Sequence, residues 1–65
     1  MSKPIIYVSI NLKMPISFEE ARCINAPIKH YITEGGSDRI AILVVTEEDK
    51  ETILNTLKDM DIEVV

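Results

Sequence analysis

Apolar residues alternate with polar ones at the start of the chain and form a continuous run near its middle. The alternation has a period of two and predicts a first strand, Pro4–Leu12, with one well-buried face. We expect Lys13-Met14-Pro15 to end that strand, because proline has no backbone N–H to donate. The continuous run, Ile40–Val45, has six apolar residues, four of them β-branched. It predicts a strand, Arg39–Val45, that is buried on both faces.

Each of these two strands is followed by a segment in which apolar residues have helical spacing. Ser17 and Glu20 have the spacing of a capping box, in which the serine hydroxyl and the glutamate each satisfy a free backbone amide. They predict a first helix that begins after Ser17, with an apolar stripe formed by Phe18, Ala21 and Ile24. Thr46 is the predicted cap of a second helix, Glu47–Met60, whose acidic first turn suits the helix dipole. The buried stripe predicted for this helix consists of Ile53, Leu54, Leu57 and Met60.

The segment between the first helix and the apolar strand has two interpretations. A helix that continues to Glu34 keeps its apolar spacing but encloses Pro27, at a cost of about 3 kcal/mol or more. A helix that ends at residues 25–26 leaves room for a strand from Ile28. Gly35-Gly36 then joins this strand to the next as a hairpin, because both glycines accept positive φ. We favour the hairpin; the alternative is a three-stranded βαβαβ fold with a Pro27-kinked first helix.

With a short last strand at Asp61–Val65, the favoured order is strand, helix, strand, strand, helix, strand. This is the order of the ferredoxin-like βαββαβ fold, an α+β fold with a four-stranded antiparallel sheet and two helices on one face. Strands one and three are central in that sheet, which suits the continuous apolar run. We therefore predict one ferredoxin-like domain that covers residues 1–65.

Parts of the chain resemble a known family. Gly36–Asp49 is similar to the second half of ACT domains, especially those of aspartate kinases, and Leu57–Val65 resembles an ACT helix that leads into its last strand. The resemblance implies a non-enzymatic regulatory domain that dimerises and binds an amino acid at the loop after strand one. Pro15 matches the proline of that loop. Ile16 stands where the family usually has glycine, and Lys13 where an acidic residue is common.

Two groups of candidate functional residues follow. The resemblance implies a ligand site at the loop after strand one, formed by Asn11, Lys13, Met14 and Pro15. The fold predicts that Tyr7 and Tyr31 lie beside Ile5 on the sheet face away from the helices. Soluble monomers seldom expose a large continuous apolar patch, so we expect these three residues to form a homodimer interface. We expect His30 to be an ordinary sheet or surface residue and Cys23 a small core or boundary residue.

The composition of the chain argues against several classes of function. The net charge of −4 and the pI near 4.8 argue against nucleic acid, because phosphate binding rests largely on Lys and Arg. A lone cysteine and a lone histidine give neither an internal disulfide nor a zinc site, so we predict no metal and no cofactor. No apolar run approaches the roughly 18 residues of a membrane span. The free thiol and the absence of a recognisable targeting signal predict a cytoplasmic protein.

The predicted function is a small non-enzymatic regulatory module. We expect it to self-associate and to bind a small molecule such as an amino acid at the loop after strand one. The alternative is a ligand-free acidic interaction module, an adaptor or inhibitor that docks on a larger protein. Self-association is favoured because a chain of this length buries only about 60% of its unfolded surface. We predict no enzymatic activity, since no nucleophile–base pair or glycine-rich phosphate loop is recognisable.

Overall fold

Residues 4–65, which the computed structural model describes, form three strands and two helices. In chain order these are β1 (Tyr7–Ser17), α1 (Phe18–Arg22), β2 (His30–Thr33), β3 (Arg39–Thr46) and α2 (Lys50–Asp59). The strands are antiparallel in the order β1-β3-β2, so the apolar run lies at the centre of the sheet as predicted. Residues 1–3 of the predicted domain lie outside the described residues.

The predicted four-stranded ferredoxin-like sheet is wrong. Within residues 4–65, Asp61–Val65 forms no strand and makes one antiparallel bridge, between Val64 and Leu12. Two backbone hydrogen bonds flank the bridge: Lys13 N donates to Glu63 O at 3.0 Å, and Val65 N donates to Asn11 O at 2.9 Å. The sheet of the described chain is therefore three-stranded, in an α+β fold.

The geometry at the end of α2 explains why the last strand is not formed. Asp61 adopts a positive φ of 60°, which is a left-handed and not an extended conformation. Ile62 N donates to Leu57 O at 2.9 Å and Asp61 N donates to Lys58 O at 3.1 Å, the two bonds of a Schellman cap. Ile62 then packs against the core beneath the helix. The segment predicted as a strand thus begins with a helix cap.

The hairpin interpretation is confirmed, and the Pro27-kinked helix is wrong. α1 ends at Arg22, well before Pro27, and β2 pairs with β3. Gly35 and Gly36 have φ values of 56° and 75°, and Ser37 N donates to Glu34 O at 2.9 Å across them. Two successive residues with positive φ are typical of a type I′ turn, in which glycine avoids the strain of a Cβ.

β1 does not end where the sequence predicts, but its pairing is interrupted there. Asn11 lies opposite Ile42 and Ile16 lies opposite Ile40, so Leu12–Pro15 face Ala41 on β3. We call Leu12–Pro15 the β1 bulge. The missing N–H of proline disrupts the ladder as expected, while the backbone stays extended and resumes pairing at Ile16.

The sequence correctly predicts the start of the first helix but not that of the second. The capping box of α1 is confirmed: Glu20 N donates to Ser17 Oγ at 3.2 Å, and Ser17 N donates to Glu20 Oε1 at 3.4 Å. Thr46 is not the cap of α2, since that position belongs to Asp49. The Thr46 hydroxyl instead donates to Asp49 Oδ2 at 2.8 Å, within a turn that precedes the helix. α2 therefore begins at Lys50 and not at Glu47.

The core lies between the helices and one face of the sheet, which we call the inner face. Its ten buried residues are Ile10, Leu12, Ile16, Ala21, Ile24, Ile40, Leu43, Val45, Ile53 and Leu57. Phe18 was predicted to join them, but it is 44% exposed. On the opposite, outer face of β3, Ile42 and Val44 are only half-buried, so the prediction of a strand buried on both faces is wrong.

We expect Leu57→Ala to lower the free energy of unfolding by about 2–5 kcal/mol, because it leaves a cavity around a fully buried side chain. That is a large part of the about 3–10 kcal/mol typical of a chain this long. Urea denaturation measures the loss. Leu54→Ala, at a half-buried position of the same helix, is the matched control and should cost less. Equal losses would contradict the core described above.

Asp61→Gly should raise the free energy of unfolding by roughly 0.5–1 kcal/mol, because glycine adopts positive φ without the steric cost that aspartate pays. The same substitution at Asp59, the last residue of α2, should be destabilising since φ is helical there. Thermal melts of the two variants test the Schellman cap. A loss of stability in Asp61→Gly would contradict it.

Candidate binding surfaces

Three of the four residues predicted to bind a ligand lie in the β1 bulge, and Asn11 immediately precedes it. Their side chains have different surroundings. Asn11 is exposed and lies opposite Ile42. Met14 is 74% exposed, and Pro15 is half-buried. Lys13 is exposed, with its Nζ 3.5 Å from Glu63 Oε2 of the C-terminal segment. The predicted loop is therefore an irregular strand, in which Leu12 points into the core and its neighbours do not.

Lys13 lines a cleft of about 640 Å³ between the β1 bulge, the second half of α2 and the C-terminal segment. We call it the bulge cleft. Its polar side chains are Lys13, Asn55, Lys58, Asp61 and Glu63, and its apolar side chains include Leu54 and Ile62. Asn11, Met14 and Pro15 do not line it. Basic and acidic groups thus face the same space, which suits a small molecule that carries both charges.

A larger cleft, of about 1110 Å³, lies at the end of the sheet where β1 begins and β3 ends. We call it the sheet-end cleft. Pro4, Ile5, Ile6, Pro27 and Ile28 form its apolar wall, and Glu47, Glu48 and Asp49 line its acidic side. This cleft is not predicted from the sequence, because its walls come from three separate segments. The signal available is the isoleucines that follow prolines at 4–6 and 27–28, and nothing in the sequence shows that these two segments meet.

The three residues predicted to form a homodimer interface do not share one face. Tyr7 lies opposite Thr46 and is 50% exposed, on the outer face as predicted. Tyr31 lies opposite the buried Leu43 and packs against the core, so its side chain is on the inner face and that prediction is wrong. Ile5, 67% exposed, lies before β1 and lines the sheet-end cleft.

The outer face carries apolar side chains among four polar ones, which are those of Ser9, Asn11, His30 and Thr46. Ile42 and Val44 of the central strand are half-buried there, and Ile32 of β2 is 40% exposed opposite Ile42. The sequence predicts Tyr31, and not Ile32, as the β2 residue on this face. Ile32 is on it because the register of β2 pairs it with Ile42, whose side chain lies on the outer face.

The two side chains with reactive groups are both exposed. His30 begins the edge strand β2, and Cys23 follows the last turn of α1 rather than lying in the core. Among residues 4–65, no group of three or more His, Cys, Asp or Glu side chains is arranged to hold a metal ion. No helix in the described part of the chain is long and apolar enough to cross a membrane.

No protein-family model, curated protein or solved structure matches this chain. The resemblance to ACT domains stays a prediction carried by Gly36–Asp49 and Leu57–Val65.

Proposed function

We propose that this chain is a small non-enzymatic regulatory module that self-associates and binds an amino acid or a similar small molecule at the bulge cleft. One observation carries the proposal: three successive large apolar side chains, two just before β1 and one at its first residue, are exposed. Ile5, Ile6 and Tyr7 are 67%, 54% and 50% exposed, respectively. Apolar surface of this continuity is typical of an interaction site.

Self-association is supported by the way this apolar segment continues onto the outer face. Tyr7 lies next to the half-buried Val44 of β3, and Ile42 follows Val44 on the same face. A partner that covers these side chains removes apolar surface from water, at about 25 cal/mol per Å². A second copy of the chain is always available as that partner, and a small core gains most from such help.

The ligand part of the proposal is supported by the charges of the bulge cleft. Lys13 and Lys58 supply cations for a carboxylate, and Asp61 and Glu63 supply anions for an ammonium group. The Lys13–Glu63 ion pair is exposed, with side chains 65% and 73% accessible, so water screens it and it opens at little cost. A zwitterion can then insert between the two groups.

The module is proposed to be non-enzymatic because its candidate reactive groups are exposed. Catalytic acids, bases and thiolates usually depend on burial or close charges that tune them. His30 and Cys23 are both exposed, on different elements of the fold. A binding role needs no such tuning, and the cytoplasm remains the predicted location.

The second candidate function is a ligand-free interaction module that docks on a larger protein. The sheet-end cleft favours it, since exposed Glu47 and Glu48 lie beside the apolar wall of Ile5, Ile6 and Ile28. This combination suits a partner segment with both basic and apolar side chains.

A panel of amino acids at millimolar concentration should identify at least one that raises the Tm of the chain. A ligand at ten times its Kd adds about 1.4 kcal/mol to the stability of the folded state. For a domain of this size that is a rise of several degrees. Lys13→Ala should abolish the rise, whereas Lys29→Ala, an exposed lysine at the other cleft, should not.

A melt that no amino acid shifts would contradict the ligand part of this proposal and favour the interaction module. That alternative makes its own prediction: the chain is recovered from native extract with a larger protein, and Glu48→Lys weakens the recovery. Glu51→Lys, an exposed position on α2 outside the sheet-end cleft, is the control. Repeated recovery of the chain alone would count against the alternative.

A further inference from the structure

β1 and β2 form the two edges of the sheet, and only one of them is protected against pairing with another chain. β2 has four residues and lies between the exposed Lys29 and Glu34. Short edge strands with charges nearby resist addition of another strand. By contrast, 4–12 contains no charged residue, and β1 presents most of this stretch at the edge.

Two hydrogen bonds show which way the backbone of β1 points along this edge. Glu47 N donates to Ile6 O at 2.8 Å, so the peptide groups of Ile6 face β3. Val65 N donates to Asn11 O at 2.9 Å, so those of Asn11 face away from β3. Because successive residues of a strand alternate, the N–H and C=O groups of Tyr7 and Ser9 also point away from β3.

The C-terminal segment covers only part of this edge. Within residues 4–65 its one bridge to β1 is at Leu12, and its last hydrogen bond along the edge is the one to Asn11. In the part of the chain that the structure describes, the outward backbone groups of Tyr7 and Ser9 are therefore open to a new strand. Ile5 and Tyr7, both at least half exposed, flank them with apolar side chains.

We propose that this open edge of β1 pairs in antiparallel fashion with the same edge of a second copy of the chain. The two-fold axis passes at Tyr7, so the N–H and C=O of each Tyr7 bond to the Tyr7 of the other copy, and Ser9 lies opposite Ile5. This register uses the open backbone groups and stops short of Asn11, whose carbonyl is already bonded to Val65. The inference rests on the self-association part of the proposed function and specifies its interface.

Charge and symmetry identify a second copy as the occupant. Each chain carries a net charge of −4, so two copies repel where acidic side chains meet, and no residue of the stretch 4–12 itself brings a charge into the contact. Antiparallel pairing of identical strands is also self-complementary, as a two-fold interface requires. Pairing over about five residues buries less than the roughly 800 Å² per partner of a standard interface, so the dimer should be weak and concentration-dependent.

Sedimentation equilibrium from micromolar to millimolar concentration tests the edge with a matched pair of variants. Tyr7→Lys and Ile32→Lys each place a lysine on the outer face, at positions 50% and 40% exposed, but on opposite edges of the sheet. We expect Tyr7→Lys to weaken dimerisation at least about tenfold, because an edge lysine opposes strand pairing. Ile32→Lys should leave the dimerisation constant unchanged.

A second pair of variants separates the contribution of the Ser9 backbone N–H to dimerisation from that of its side chain. Ser9→Pro removes an N–H that points to the open edge and takes none from the ladder with β3, so the fold should tolerate it. It should weaken the dimer, whereas Ser9→Ala keeps the N–H and should dimerise like the parent chain. Circular dichroism of each variant checks that the sheet is intact.

The outcomes distinguish this inference from the proposed function. A parent chain that stays monomeric to millimolar concentration overturns both the self-association and the edge. A dimer that Tyr7→Lys and Ile32→Lys weaken equally shows an interface on the outer face, and overturns the edge alone. A dimer that Tyr7→Lys and Ser9→Pro leave intact in folded protein also overturns the edge alone.

Discussion

The pairing of β3 with a strand on each side is the interaction on which the rest of the structure depends. Leu43 and Val45 of this strand are fully buried on the inner face, where α2 adds Ile53 and Leu57. Since β3 is saturated on both edges, the backbone groups left over belong to β1 and β2. The exposed apolar surface of the molecule follows from this arrangement, because within residues 4–65 no helix or strand covers the outer face.

The interruption of the β1–β3 ladder connects the fold to the proposed binding site. Leu12–Pro15 leave the ladder opposite Ala41, and the displaced backbone meets the C-terminal segment at Glu63. Lys13 is thereby brought next to residues of α2 and of the segment that follows it. A regular strand would have kept Lys13 in register with β3, so the irregularity created by Pro15 makes the bulge cleft.

Much of the fold could be predicted from local signals, each with a physical cause. The Ser17–Glu20 capping box, the Gly35-Gly36 turn and the central position of Ile40–Val45 depend on residues close in sequence. The predictions that were wrong concern features that depend on contacts between distant segments. No residue near Asp61 indicates that Ile62 will complete the cap of α2 and pack against the core rather than extend a strand. The two clefts could not be predicted either, because each is lined by segments that are far apart in the sequence.

The central claim is that β1 has an open, uncharged edge that pairs with its own copy. Amide hydrogen exchange measured by NMR at rising protein concentration tests it most directly, because it reports on single N–H groups. The account predicts that the amides of Tyr7 and Ser9 exchange quickly in dilute solution and become protected as concentration rises, while Val8 and Ile10, bonded to β3, are protected throughout. Fast exchange of Tyr7 and Ser9 at every concentration would contradict it.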